Sequence, residues 1–197
     1  KMNFDDVKAK YRRKNKILFS RESFCLQELI ALICKQKHRT IVMWILQWAN
    51  QTADILNKRY PDEERFNNAI VQSTRWAMGK IKMPIAKKAI LDCHRVAKEI
   101  DDPIDIALCH AIGQACSSVH IETHAIGFVF YDLTALVLEL GIDNFEAAAS
   151  NKIEQYINTL KLWESEIDNY SGPWASFLLN DNKINKELLI ANKKADK

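Results

Sequence analysis

Glycine and proline are scarce in this chain, and their scarcity limits the folds that the chain can adopt. The 197 residues include only five glycines and four prolines, the residues on which tight turns most depend. A fold of many short strands needs many such turns, whereas long helices joined by short connections need few. We therefore predict an all-α fold, a single-domain bundle of seven or eight mostly antiparallel helices with no sheet.

Helix boundaries can be predicted at several points. In DDPIDIALCH, Asp102 is placed to cap a helix that begins at Pro103. Gly79 and Gly141 are each placed to end a helix, and Asp143 followed by Glu146 has the pattern of a capping box that opens the helix after Gly141. Apolar residues at steps of three and four indicate further helices within residues 26–33, 44–56, 66–76 and 153–163.

Charge is unevenly distributed along the chain, although the net charge is only +3. Residues 1–40 carry a net charge of +7, residues 41–182 carry −7 and residues 183–197 carry +3. The basic ends are either solvated and partly disordered, or part of a pattern in which the acidic body binds a basic protein. We predict three regions: a basic N-terminal helical extension (1–38), a helical core domain (39–170), and a C-terminal docking segment with a basic tail (171–197).

The cysteines and the absence of some motifs bear on location and cofactors. The five cysteines are odd in number and form no C-x-x-C pair, which indicates neither a disulfide framework nor a zinc ribbon. No segment has the pattern of a signal peptide or a membrane span, and no Gly-rich phosphate loop or nucleophile motif is present. We therefore expect a cytoplasmic protein with core cysteines, no cofactor and no membrane contact.

One apolar stretch, HAIGQACSSVHIETHAIGF, is rich in histidine, glycine and serine. If the stretch and the residues after it formed a single helix, seven of these residues would lie on one face as a stripe. They are His110, Gly113, Ser117, His120, His124, Gly127 and Tyr131. Small residues would let a neighbouring helix approach closely, and buried histidines beside them would need hydrogen-bond partners. We predict that this stripe packs against another helix and that the working surface lies elsewhere.

The histidines also allow a second interpretation, a metal-dependent helical enzyme. His120 and His124 would lie one helical turn apart, and His94 is the first candidate for a third ligand from another helix. The stretch HIETH does not have zinc-protease spacing, because Glu122 would point about 200° away from His120. We favour the packing interpretation and keep His94, His120 and His124 as the alternative metal set.

The basic cluster YRRKNK near the N-terminus leaves open a third interpretation, nucleic-acid binding through the N-terminal arm. The cluster contains few interleaved aromatic residues, and the body of the chain is acidic. Nucleic acid is therefore the less favoured partner.

Three longer stretches together carry a family resemblance. They read WILQWANQTADILNKRYPDEERFNNAI, STRWAMGKIKMPIAKKAILDCHRVAKE and CHAIGQACSSVHIETHAIGFVFYDLTAL. The matching positions are Trp48-Ala49, Pro61 with Asp62 and Arg65, Arg75-Trp76-Ala77 with Gly79, His94, and the spacing from Gly113 through His120 and His124 to Gly127. Over roughly residues 39–140, the chain resembles the all-α immunity proteins encoded beside bacterial polymorphic toxins.

The resemblance implies a cytoplasmic bacterial protein that protects its producer by binding a cognate toxin, with no catalysis. Buried aromatic side chains would supply affinity, and complementary charge would speed the encounter. The resemblance brings no assigned catalytic residues, so its candidate site residues have no stated role: Trp76, His94, His110, Gly113, Ser117, His120, His124 and Gly127. It leaves open the toxin's identity, the binding surface and whether the protein is a homodimer.

Overall fold

Nine α-helices make up most of the computed structural model, which describes residues 1–197 and contains no strand. They are α1 (Asp5–Arg12), α2 (Gln27–Ile33), α3 (His38–Arg59), α4 (Arg65–Ala77), α5 (Met83–Val96), α6 (Pro103–Ser117), α7 (His124–Leu140), α8 (Glu146–Glu166) and α9 (Lys186–Ala195). The all-α prediction is confirmed. The helix count exceeds seven or eight because the stretch from His110 to Tyr131 belongs to two helices.

Three predicted helix boundaries are confirmed in atomic detail. The Asp102 side chain accepts a hydrogen bond from the backbone N–H of Ile104 at 2.8 Å and so caps α6. Gly79 follows α4 with φ +75°, and Gly141 follows α7 with φ +86°. Glycine tolerates such positive φ values at little cost because it has no Cβ.

The predicted capping box at Asp143 and Glu146 is wrong. The residue before α8 is Phe145, and no side chain caps the helix there. Phe145 is buried and packs edge-on against Phe4, with ring centroids 5.3 Å apart, while Glu146 pairs with Lys8 of α1. Apolar contact with the N-terminal segment therefore determines where α8 begins.

A single core of 50 buried residues runs through the bundle. Trp44 and Tyr156 lie at its centre, where the Trp44 indole donates a hydrogen bond to the Tyr156 carbonyl at 3.1 Å and joins α3 to α8. Trp48 and Trp76 are also buried, as the helical periodicity predicts, whereas Trp163 is half-buried and donates to Gln47. Burial of each large apolar side chain contributes about 1.5–3 kcal/mol.

Two buried carboxylates connect helices within this core. Asp132 of α7 accepts hydrogen bonds from the Tyr156 hydroxyl and from the Lys152 ammonium, both on α8. Asp105 of α6 pairs with Arg59 and accepts a hydrogen bond from the Tyr60 hydroxyl at 2.7 Å. Buried charges require such partners, because an unpaired carboxylate would cost several kcal/mol.

The segment that precedes α2 meets the C-terminal helix at one end of the bundle. Glu187 of α9 is buried and pairs with Arg21, with Oε1 2.6 Å from Nε. Asn185 caps α9, and its side-chain amide donates to the carbonyls of Ile33 and Gln36 at the end of α2. The C-terminal segment is thereby held across the start of α3.

The structure also shows the state of the five cysteines and the apolar character of the helices. All five cysteines are free; four are buried, and Cys34 is half-buried. Burial raises the pKa of the Cys25 and Cys109 thiols to about 12, which keeps them protonated. None of the nine helices combines the length and the apolar character that crossing a bilayer requires.

The cap of α6 gives a direct test of this architecture. We expect Asp102→Ala to lower the free energy of unfolding by about 1 kcal/mol, because the Ile104 N–H loses its acceptor. Asp101→Ala, at the neighbouring exposed position, serves as the control and is expected to change it by less than about 0.5 kcal/mol. Urea denaturation of both variants measures the difference, and equal losses would contradict the assignment.

Candidate functional site

The histidine-rich stretch is not one helix, as the stripe prediction assumed. Helix α6 ends at Ser117, residues 118–123 form turns, and α7 begins at His124. The hydroxyls of Ser117 and Ser118 donate to the carbonyls of Gly113 and Ala115 and so compete with the helical backbone pattern. Three β-branched residues follow, at 119, 121 and 123, and they disfavour continuing the helix. The chain therefore reverses, and α7 packs antiparallel to α6.

This reversal brings several of the predicted site residues around one open cleft of about 250 Å³. We call it the histidine cleft; it lies between α5, the end of α4 and the turn from α6 to α7. Its lining consists of Trp76, Met83, Lys87, Ile90, Leu91, His94, Ser117, His120 and His124. The prediction that the stripe is only a packing seam is therefore wrong for Ser117, His120 and His124, which border open space. His94, the third residue of the alternative metal set, borders the same cleft.

Gly113 is where the packing prediction holds. A Cβ built on this residue would lie 2.2 Å from Nε2 of His94, far inside van der Waals contact. The absence of a side chain on α6 therefore allows the imidazole of α5 to lie directly against the helix. Gly127 has a similar role in α7, because a Cβ there would lie 2.5 Å from Oε1 of Gln114.

His94 and His110 form a hydrogen-bonded pair behind the cleft. Their Nδ1 atoms are 2.9 Å apart, so one imidazole donates and the other accepts. The Tyr131 ring packs beside His110, with centroids 5.3 Å apart. Burial, followed by the nearby His110 and His124, lowers the pKa of His94 to about 4. The His94 side chain is therefore neutral near pH 7.

His124 and His120 occupy the opposite wall of the cleft. Nδ1 of His124 lies 3.0 Å from Oε1 of Gln114, so the imidazole donates there and its Nε2 is an acceptor. Burial lowers the pKa of His124, and the neighbouring His120 and Arg21 lower it further. His120 is exposed and stacks on Trp76, with ring centroids 6.0 Å apart. The expectation that His120 is buried is therefore wrong.

The alternative metal set does not have the geometry that a metal ion requires. His94, His120 and His124 do line the same cleft. However, no group of three or more histidine, cysteine, aspartate or glutamate side chains is arranged so that it could hold a metal ion. Glu122, the only carboxylate nearby in sequence, instead accepts a hydrogen bond from the Lys186 N–H at 2.6 Å. The metal-dependent enzyme gains no support from this arrangement.

A second cleft, of about 350 Å³, was not anticipated from the sequence. It lies where the C-terminal segment crosses the start of α3, and it includes His38 and Glu122. The His38 imidazole donates from Nε2 to the Ser118 carbonyl at 2.6 Å, and burial lowers its pKa. Only the docking of the C-terminal segment creates this cleft, so helical periodicity gives no sign of it.

The helix connections at the two ends of the bundle differ in charge. The acidic end comprises the connections α3–α4, α5–α6 and α7–α8, residues 60–64, 97–102 and 141–145, with seven carboxylates and one lysine. The lysine end comprises the connections α2–α3, α4–α5 and α6–α7, residues 34–37, 78–82 and 118–123, with four lysines and one carboxylate. Two ion pairs join neighbouring elements at the acidic end: Arg65 of α4 with Glu99 after α5, and Arg59 of α3 with Asp105 of α6.

The free cations of the N-terminal arm are confined to a short segment. Lys8 pairs with Glu146, and Lys10 donates to the Ser20 hydroxyl at 2.7 Å. Arg12, Arg13, Lys14 and Lys16 are exposed and unpaired, and they lie at the last residue of α1 and in the turn that follows it. Such a small patch lacks the extended basic face and stacking aromatics of nucleic-acid-binding surfaces, so the geometry does not favour the nucleic-acid alternative.

A family model described as "Imm-5 like putative immunity protein" matches residues 31–159. This match confirms the resemblance and extends it beyond residues 39–140. It includes all nine residues of the histidine cleft and all three connections of the acidic end. No curated protein and no solved structure matches the chain.

The contact between Gly113 and His94 can be tested by a double-mutant cycle. We expect Gly113→Ala to destabilise the protein by about 1–2 kcal/mol, because the new methyl group collides with the imidazole. In a His94→Ala background the same change should stabilise it by up to about 1 kcal/mol, since alanine is the better helix former. Urea denaturation of the four proteins gives the coupling energy, and a value near zero would contradict the close contact.

The neutral state of His94 predicts a specific pH dependence. Because folding lowers the pKa of His94 to about 4 from an ordinary value near 6.5, its contribution to stability is full above pH 6.5 and declines as the pH falls towards 4. We expect wild-type stability to fall by up to about 3 kcal/mol more than that of His94→Ala over this window. Denaturation at pH 7, 6, 5 and 4.5 measures the difference, and parallel curves for the two proteins would refute it.

Proposed function

This chain belongs to the Imm-5 like immunity protein family, and from that membership we propose that it neutralises a cognate toxin by binding it directly, without catalysis. The family match supports the class of function. The charge difference between the two ends of the bundle is the observation that carries the choice of surface. We propose that the acidic end binds a basic face of the toxin from within the producing cell's cytoplasm.

The acidic end has carboxylates available for a partner. Asp62, Glu64, Asp101 and Asp143 are all exposed and make no ion pair within the chain. They come from three different connections, so their charge covers the whole end rather than one loop. A surface of one sign attracts an oppositely charged protein over a distance of about one Debye length and raises its association rate by about 10- to 1,000-fold.

Apolar side chains beside these carboxylates could provide the affinity. Ile55 of α3 is 44% exposed and Leu140 of α7 is 39% exposed. Ile55 borders a cavity of about 240 Å³ that also contains Arg59, Leu136 and Glu139. A cavity of this size accommodates one side chain of a partner, and burial of such an anchor commonly dominates the energy of an interface.

Direct occlusion of a toxin requires no chemistry at the acidic end. None of the five histidines and none of the five cysteines lies in its three connections. The polar side chains there are carboxylates, an amide, the Lys98 ammonium group and a tyrosine hydroxyl that is already donated to Asp105. Such a surface is suited to binding a partner rather than to transforming one.

Charge reversal at the acidic end tests the proposal, with the cognate toxin, sought among the products of the adjacent genes, as the partner. We expect the combination of Asp62→Lys, Glu64→Lys, Asp101→Lys and Asp143→Lys to slow association at low salt at least about tenfold. We also expect it to abolish protection when toxin and variant are produced together. Stopped-flow or surface-binding kinetics and growth assays measure the two effects.

The control reverses the charge of exposed carboxylates outside the acidic end. Glu154→Lys and Glu166→Lys, both on α8, should leave the association rate within about twofold of the wild type. Thermal denaturation confirms that each variant is folded. If the acidic-end variant binds and protects like the wild type, the acidic end is not the binding surface. If the wild-type protein itself does not bind the toxin, direct neutralisation is wrong.

A further inference from the structure

We propose that the histidine cleft is a binding site for a small aromatic carboxylate. The cleft combines an apolar wall, a single unpaired ammonium group and three imidazoles, and no carboxylate lines it. This combination accommodates a planar ring with one negative charge. The proposal does not depend on toxin binding, because the cleft borders the lysine end of the bundle, away from the acidic end.

The charges around the cleft favour an anion. Lys87 of α5 is exposed and forms no ion pair, whereas its neighbour Lys88 is paired with Asp92 at 2.7 Å. Lys87 is also the only formally charged side chain of the lining. An anion in the cleft would therefore meet one ammonium group without competition from a carboxylate of the protein itself.

The apolar wall favours a ring. Met83, Ile90 and Leu91 follow one face of α5, and beside them the exposed His120 ring stacks on Trp76, which is itself only 7% exposed. Met83 is 40% exposed and Leu91 is 47% exposed, so apolar surface remains for a ligand to cover. The volume of about 250 Å³ lies below the range of about 300–1,000 Å³ of drug-sized sites, which limits the ligand to one ring or a fused pair.

The polar groups of the cleft can orient a carboxylate. The His120 imidazole makes no hydrogen bond within the chain and is exposed, stacked on Trp76. His124 has donated through Nδ1 to Gln114, which leaves its Nε2 for a further contact. Protonation at this Nε2 would convert it from an acceptor into a charged donor to the ligand.

Binding of an anion is therefore coupled to proton uptake. The groups that face His124 are His120, Arg21 and His94, and none of them is a carboxylate that could already stabilise the imidazolium. A bound anion would supply the missing negative charge and raise the pKa of His124 in the complex. Affinity should consequently rise as the pH falls from 8 to 6, because the complex binds more protons than the free protein.

Calorimetry with three probes separates the contribution of the ring to binding from the contribution of the charge. Indole-3-carboxylate has both, indole has only the ring, and acetate has only the charge. At pH 6.5 we expect indole-3-carboxylate to bind at least tenfold more tightly than indole or acetate. We also expect its affinity at pH 6.5 to be at least threefold higher than its affinity at pH 8. Equal affinity for indole, or for acetate, would overturn the proposal, as would an affinity that does not change with pH.

Two lysine variants locate the site. Lys87→Met retains most of the apolar length of the side chain but removes its charge, and we expect it to weaken indole-3-carboxylate binding at least fivefold. Lys80→Met removes an exposed lysine of the same end that does not line the cleft, and it should bind like the wild type.

Nuclear magnetic resonance titration should shift the imidazole signals of His120 and His124 and leave that of His38 unchanged. Equal binding by the two variants, or shifts confined to His38, would show that the ligand binds elsewhere or not at all.

Discussion

The end of α6 at Ser117 is the constraint on which the arrangement of this protein depends. Two serine hydroxyls that bond back to helix carbonyls, followed by β-branched residues, stop the helix where its apolar sequence alone would continue it. Because α7 then runs back along α6, His120 and His124 reach the cleft beside α5. Without this reversal the same histidines would extend away from His94 along one long helix.

The same reversal explains the separation of charge. Successive helices from α3 to α8 run in opposite directions, so alternate connections lie at the same end of the bundle. The connections that precede α4, α6 and α8 are acidic, whereas those that precede α3, α5 and α7 are rich in lysine. A charge alternation that is inconspicuous along the sequence thus becomes a set of acidic connections at one end of the fold and a set of lysine-rich connections at the other. The sum over residues 41–182 conceals it, because acidic and basic connections are added together.

Helix boundaries that depend on residues within one turn could be predicted well from the sequence. Asp102, Gly79 and Gly141 mark helix boundaries through their own backbone and side-chain chemistry, and the structure places boundaries at all three. The start of α8 could not be predicted in this way, because it is determined by a contact between Phe145 and Phe4 at the other end of the chain. Local pattern contains no information about that partner.

The candidate site was predicted in part. Five of the nine cleft residues were named as candidates, but a helical wheel placed Ser117, His120 and His124 on one stripe, and the wheel gives no account of a turn. The other four, Met83, Lys87, Ile90 and Leu91, were not named. Gly113 was correctly associated with close packing, although its partner, His94, is identified only by the structure. The second cleft depends on a C-terminal segment that carries weak periodicity, so nothing in the sequence pointed to His38.

The contact between Arg21 and Glu187 connects residues that are 166 positions apart, and both lie outside the region that the family shares. Glu187 is buried, so removing the N-terminal segment would strand its carboxylate, and removing the C-terminal segment would leave Arg21 without its partner. The two termini are therefore expected to be gained or lost in evolution as one unit. A relative that lacks one of them should lack the other as well, and a gene fusion at either terminus would disturb both.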